Sequence, residues 1–338
     1  MSIKKTLLVV SFLVSFTFVS CTDSKIESPK LTEITICQWG QALIYLPLYI
    51  AQEKGFFGDE GLKVKIINGG GDDLTWAAVT SGNAQFGIAD PTMVAIQDEQ
   101  GGVPGKVIGS IVSRVSFWAI TFDKKVRQIK SPVDFRGNTV ACFKFPNTAH
   151  ALALKTFKNG NLEVGKDVNI VPVNYEAVLA QLKNKEANIA MVLEPAASIA
   201  IEQGARIVYS YPEDWGSFSF TGLTTTQKYI DENPDVVQRV VNALERAMRF
   251  ARVDFDGTVS VGKKAFPDLS ENVIKMATKR MLEEKTLPES ILVDENGWLK
   301  ALQLCVDVEK LKKLPEKNFI DNRFALKAID KYENIKKK

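Results

Sequence analysis

The chain has 338 residues, 45% of them hydrophobic and 25% charged, with a formal net charge of +3. Such a chain can bury the core of one large or two modest domains and is excluded from the disordered class. Taking away residues 1–20 removes Lys4 and Lys5 and no acid, so 41 basic residues face the 40 acidic ones; no strong positive field remains, which argues against nucleic acid as a partner.

Residues 1–20 read as a secretory signal: two lysines, then the apolar stretch 6–19, too short to span a bilayer comfortably. Phe18-Val19-Ser20-Cys21 resembles a lipobox, with Cys21 as the acylated residue and Phe18 in place of the usual leucine. Residues 21–33 are a polar linker. Strand, helix, strand, helix, strand follow over residues 34–90. Ile34 opens a β-branched run. Leu43, Leu46 and Ile50 recur at helical spacing up to Gly55. Val64 and Ile66 share one strand face. Asp72 or Asp73 caps a helix that Gly82 ends, and residues 86–90 form the third strand. Alternation of this kind predicts a parallel sheet covered on both faces, with ligands beyond the carboxyl ends of its strands. Those ends carry Gln38, Trp39 and Gly40, then residues 69–73, then Asp90-Pro91.

A second set of elements begins near residue 138 and repeats this order: strand, helix from Pro146–His150 to Asn159-Gly160, strand 168–173, helix 176–183, strand 189–193, then Glu194-Pro195. Each set closes on an acid followed by proline. Two α/β lobes with loops at their strand ends can face each other across a cleft and close on a ligand by a hinge. Residues 218–226 form another strand, and Asn233-Pro234 starts a long helix with Val237, Val240, Val241, Leu244 and Met248 on one stripe. Residues 252–338 are helical, broken at Pro267, Pro288 and Pro315, and no chemistry is read there. Cys37, Cys142 and Cys305 are expected as buried free thiols.

Trp39 with Pro47-x-Tyr49-x-Ala51, Gly55-Phe56-Phe57, Glu60-Gly61-Leu62-x-Val64 and Ser81-Gly82-x-Ala84-x-Phe86-Gly87 resembles the solute-binding proteins of ABC importers for sulfonates, taurine, nitrate and thiamine-precursor pyrimidines. The resemblance covers roughly residues 34–250. It implies an α/β fold of two Rossmann-like lobes with a two-strand hinge, the type II periplasmic binding protein or Venus-flytrap arrangement. Residues 34–113 with 215–338 would form lobe 1 and residues 114–214 lobe 2, with crossings near 116–122 and 215–222. It also implies a monomer, lipid-anchored in the cell envelope, that hands one small molecule to an ABC permease and its ATPase.

The candidate ligand residues are Trp39, Gly40, Tyr45, Gly70, Gly71, Asp90, Trp118, Asn147, Thr148, Tyr175 and Glu194. Aromatic rings at strand ends can stack on a planar ligand. The glycines permit close backbone approach; in the resembled family their loop, the loop after the first strand and the Tyr175 loop all line the cleft. An acid from each lobe, Asp90 and Glu194, can hold an N–H group, though either can simply cap the next helix. Asn147-Thr148-Ala149-His150 opens a helix, where free N–H groups suit an anion, and it approximates the Ser-Ser-Ala-His stretch of sulfonate-binding relatives. A helix cap alone would select the same residues. Aromatic rings and acids favour a planar heterocycle such as an aminopyrimidine or a flavin-like molecule, with a sulfonate, nitrate or other small anion as the alternative.

Some relatives are enzymes that make the thiamine pyrimidine at the expense of a histidine and pyridoxal phosphate; they carry a cysteine-rich cluster and work inside cells. This chain has one histidine, His150, no such cluster and an export signal. No Gly-x-Ser-x-Gly elbow, metal-ligand cluster, P-loop or dinucleotide fingerprint is present. No enzyme, cofactor or metal is therefore expected.

Overall fold

A computed structural model describes residues 31–145 and 147–335. The signal, Cys21 and most of the linker lie outside the described residues. The first half runs β1 (Thr32–Gln38), α1 (Leu46–Glu53), α2 (Phe56–Asp59), β2 (Leu62–Asn68), α3 (Asp72–Thr80), β3 (Phe86–Ala89), α4 (Met93–Glu99) and β4 (Gly105–Arg114). Then follow β5 (Trp118–Thr121), β6 (Thr139–Phe143), α5 (Thr148–Asn159), β7 (Asn169–Val173), α6 (Val178–Lys183), β8 (Ile189–Val192), α7 (Ala196–Glu202), β9 (Arg206–Ser210) and α8 (Tyr211–Trp215). The chain ends in β10 (Ser217–Thr226), α9 (Gln227–Glu232), α10 (Pro234–Val253), α11 (Phe255–Ala265), α12 (Glu271–Glu283), α13 (Glu295–Asp307) and α14 (Arg323–Ile335).

Two five-stranded sheets result, ordered β2-β1-β3-β10-β4 and β7-β6-β8-β5-β9. Parallel pairing holds β1 between β2 and β3, and β6 between β7 and β8. In each sheet the fourth strand is antiparallel, and in each it is the strand that has just crossed from the other sheet: β10 in the first, β5 in the second. The crossings, residues 115–117 and 211–216, lie side by side, because Arg114 pairs with Ser217 before them and Trp118 with Ser210 after them. The two-lobed α/β fold with a two-strand hinge is thus borne out.

The C-terminal helices contact elements of both sheets. Backbone bonds Ser113 N to Thr286 O (3.0 Å), Ser110 N to Ile291 O (2.7 Å) and Val107 N to Phe319 O (2.8 Å) fasten the segment along β4. Yet α12 also packs on α7, and α13 on α5, both belonging to the second sheet. Lys155 of α5 pairs with Asp307 of α13 at 2.6 Å. The segment therefore touches both lobes.

Candidate functional site

The loop after β1 is held from several sides. Tyr49 donates its hydroxyl to Gln38 Oε1 (2.9 Å) and accepts from Ala42 N (3.2 Å), while Gln38 Nε2 donates to Asn68 Oδ1 (2.8 Å). Trp39 N donates to Ile88 O, and Gly70 N to Trp39 O. Those bonds fix Trp39 at the strand ends as one end of an edge-to-face aromatic rail. Centroid spacings along it are 6.4 Å to Tyr175, 5.4 Å on to Phe143, 5.5 Å to Phe117 and 5.4 Å to Phe220. The rail draws on both sheets and on the first crossing, so it spans the cleft.

Opposite the rings stand two carboxylates. Asp72, in the first turn of α3, accepts from Asp90 N (2.9 Å). Asp90 Oδ1 accepts from Thr92 N (2.9 Å) and Thr92 Oγ1 (2.7 Å), and its Oδ2 accepts from Thr148 Oγ1 (2.8 Å) across the cleft. Burial, and then the charge of Asp90, pushes the Asp72 carboxyl up to about 7. Burial, with Asp72 next, likewise raises the Tyr45 hydroxyl. Close contact of β10 with the Asp90-Pro91 turn requires Gly222, where a Cβ would come within 2.8 Å of Pro91 Cβ.

The cavity that these rings and carboxylates border has a volume of about 40 Å³ and opens to solvent. Trp39, Tyr45, Phe117, Phe143 and Phe220 give it aromatic walls; Asp72, Asp90, Asn147, Thr148 and Thr221 are its polar groups. No Lys, Arg, His, Ser or Cys is among the described residues that line it. An outer space of about 460 Å³ adjoins it at Trp39, Phe143 and Asn147 and adds Gly40, Gly70, Lys144 and Tyr175.

Eight of the residues expected from sequence thus come together: Trp39, Tyr45, Asp90, Asn147 and Thr148 at the inner space, and Gly40, Gly70 and Tyr175 at the outer one. Trp118 does not. It is 0% exposed inside β5, its indole N–H donates to Glu284 Oε2 (2.9 Å), and Arg280 of α12 lies over its ring. Glu194 is also 0% exposed and lines neither space; Ser198 N, Ser198 Oγ and Arg280 all donate to it. Burial raises its pKa against the opposing pull of Arg280. Gly71 sits behind the rim as the residue before α3. Asp72 is no cap; it faces the cavity instead. Asn147 does cap α5, its Oδ1 accepting from Ala149 N (2.9 Å). His150 points at Phe143 O (3.2 Å), away from both spaces. Cys37, Cys142 and Cys305 are buried free thiols, as expected.

Sequence reading missed Asp72 as a ligand-facing group, and Phe117, Phe143 and Phe220. The signal for Asp72 was present, since acids follow both strands that flank β1, β2 and β3.

The sequence profile of the family described as NMT1/THI5 like matches residues 44–254. This chain belongs to that family. It is 20% identical over 323 residues to the putative binding protein YtlA of Bacillus subtilis, covering 94% of this chain and 95% of that protein. It is 23% identical over 268 residues to the riboflavin-binding protein RibY of Chloroflexus aurantiacus, covering 77% of this chain and 73% of RibY. Among solved structures, the periplasmic aliphatic sulphonate binding protein SsuA of Escherichia coli shares the fold at TM-score 0.68 and 16% identity, over 85% of this chain and 95% of that one. The resemblance read from the motifs is borne out, as is the two-lobed fold. No helix among the described residues is long and apolar enough to cross a membrane.

Proposed function

We propose that this family member is the solute-binding component of an ABC importer and captures a small planar heterocycle, a thiamine-precursor pyrimidine or a flavin-like molecule, releasing it unchanged. One observation carries the reading: two carboxylates face aromatic rings in a cavity whose described lining holds no cation. A ring with N–H donors satisfies Asp72 and Asp90 and stacks on the rail. A sulfonate or nitrate would meet two acids there. The Thr148 hydroxyl, which could serve an anion, is already donated to Asp90. RibY, a relative named for a flavin, supports the same ordering. The absence of a paired nucleophile and base in the lining favours binding over catalysis. In this reading Cys21 carries the lipid anchor at the extracytoplasmic face, the protein acts as a monomer, and a permease with its ATPase receives the ligand.

Isothermal titration tests it with 4-amino-5-hydroxymethyl-2-methylpyrimidine, riboflavin, taurine and nitrate. Heat from either heterocycle and none from the anions is expected. Strong heat from taurine with none from the heterocycles overturns it.

A further inference from the structure

The two cleft spaces differ in size and in charge. Asp72 and Asp90 line the inner one, of about 40 Å³, and no described cation does; Lys144 and Glu176, one charge of each sign, line the outer one, of about 460 Å³. A single water needs roughly 10–15 Å³, so the inner space admits a group of a few atoms and excludes a ring, while the outer space has room for a ring. Trp39, Phe143 and Asn147 border both, so a ligand resting against them outside can extend one substituent inward. That substituent meets two acids with no paired cation. Asp90 accepts from Thr92 through Oδ1 and from Thr148 through Oδ2. Asp72 accepts from Asp90 N through Oδ1, and its Oδ2 has no hydrogen-bond or ion-pair partner among the described residues. The cation felt at Asp72 is Lys310, which stands outside this lining and pulls less on the carboxyl than Asp90 pushes.

We propose that the inner space is a cation-selective head-group pocket, so that the ligand is a planar heterocycle bearing a primary amine, its ring in the outer space and its ammonium between Asp72, Asp90 and the aromatic walls. The inference rests on the heterocycle reading above and narrows it to amines. Aromatic walls beside carboxylates attract a cation through the ring quadrupoles as well as through charge. Asp72, Asp90 and Thr221 line the space and offer acceptors for the three N–H groups of an ammonium. A neutral donor would satisfy the free Asp72 oxygen and leave two like charges facing each other; an ammonium satisfies the same oxygen and offsets that repulsion. The competing role for the acids is purely structural, with Asp90 joining the lobes through Thr148 and Asp72 tying α3 to the end of β3. In that case the charge on the ligand is immaterial.

Isothermal titration of the full chain with 4-amino-5-hydroxymethyl-2-methylpyrimidine and its 5-aminomethyl counterpart separates the two. These share one ring and differ by a hydroxyl against an ammonium. At pH 8, where Asp72 is ionised, wild type should bind the aminomethyl compound at least about tenfold tighter, the difference between a charge-assisted and a neutral contact. Asp72→Asn should erase that preference. Phe220→Leu, which keeps the wall apolar but removes a ring, should cost the ammonium about threefold more than the hydroxyl. Equal affinities in wild type, a preference that survives Asp72→Asn, or equal losses in Phe220→Leu overturn the pocket. If neither pyrimidine binds wild type, the heterocycle reading fails for this ring, and benzylamine against benzyl alcohol decides the pocket separately. A benzylamine-dependent rise in Tm that benzyl alcohol does not give and Asp72→Asn abolishes supports it; no rise, or the same rise in both proteins, overturns it.

Discussion

Strands β3 and β8 end alike, each in an acid followed by proline and a helix, yet their acids meet opposite fates. Asp90 stays half-buried at the cavity and reaches across to Thr148. Glu194 is sealed at 0% exposure beneath Arg280 and Ser198. The cause is a layer that the first lobe lacks at this position: α12 packs on α7 and delivers Arg280 to Glu194 and Glu284 to Trp118. Two similar lobes therefore grip unequally. The first supplies the carboxylates, the second supplies Thr148 and Asn147, and both supply rings.

The comparison breaks hardest at α12. Arg280→Ala leaves the buried Glu194 without its cationic partner, which should cost about 3–5 kcal/mol; Trp118→Ala opens a cavity and removes one of the two donors to Glu284 Oε2, at about the same cost. Urea denaturation measures both. Glu194 has a raised pKa in the folded protein, so protonation favours folding at low pH and that benefit fades as pH rises through its folded value. The Arg280→Ala defect should accordingly be smaller at pH 5 than at pH 8. A variant as stable as wild type at pH 8 would show that α12 does not hold the second lobe.

That contrast also marks the limit of sequence reading. The strands were legible because period-two runs, caps and glycine stops are local, and the strand read at 168–173 is observed at Asn169–Val173. Trp118 and Glu194 were misplaced because their partners lie 166 and 86 residues away. Strand-end position told where their backbone sits, and a distant helix decided where their side chains go. Asp72 was read as a cap because an acid ahead of a helix is usually one; the hydrogen bond from Asp90 N gives it another task. The C-terminal helices were legible as helices, but nothing in their pattern marks Arg280 or Glu284 as the partners of Glu194 and Trp118.

A milder break lies at the cleft acids. Asp90→Asn keeps the shape and most local bonds but removes the charge that faces the ligand. Affinity for a donor-bearing heterocycle should fall by about tenfold or more, the worth of a hydrogen bond to a charged group. Glu194→Gln, the equivalent change in the other lobe, should lower Tm and leave affinity within about twofold. Calorimetric titration of both variants tests the asymmetry; an equal loss of affinity in the two would mean that both acids reach the ligand.

The smallest effect, and the most specific, concerns Asp72. Its carboxyl is raised from 3.8 to about 7 in the folded chain, so the proton is held more tightly folded than unfolded. Its contribution to stability is whole below about pH 4 and is lost as pH rises through about 7. Asp72→Asn has no such titration. The Tm of the variant relative to wild type should therefore climb from pH 5 to pH 8, because only wild type must ionise a buried acid beside Asp90. Binding should run the other way. An ionised Asp72 is the better acceptor, so wild-type affinity for an N–H donor should grow across the same interval while that of Asp72→Asn stays flat. Parallel curves for the two proteins in both measurements would mean that Asp72 does not titrate against Asp90, and the electrostatic half of the site would have to be assigned to Asp90 alone.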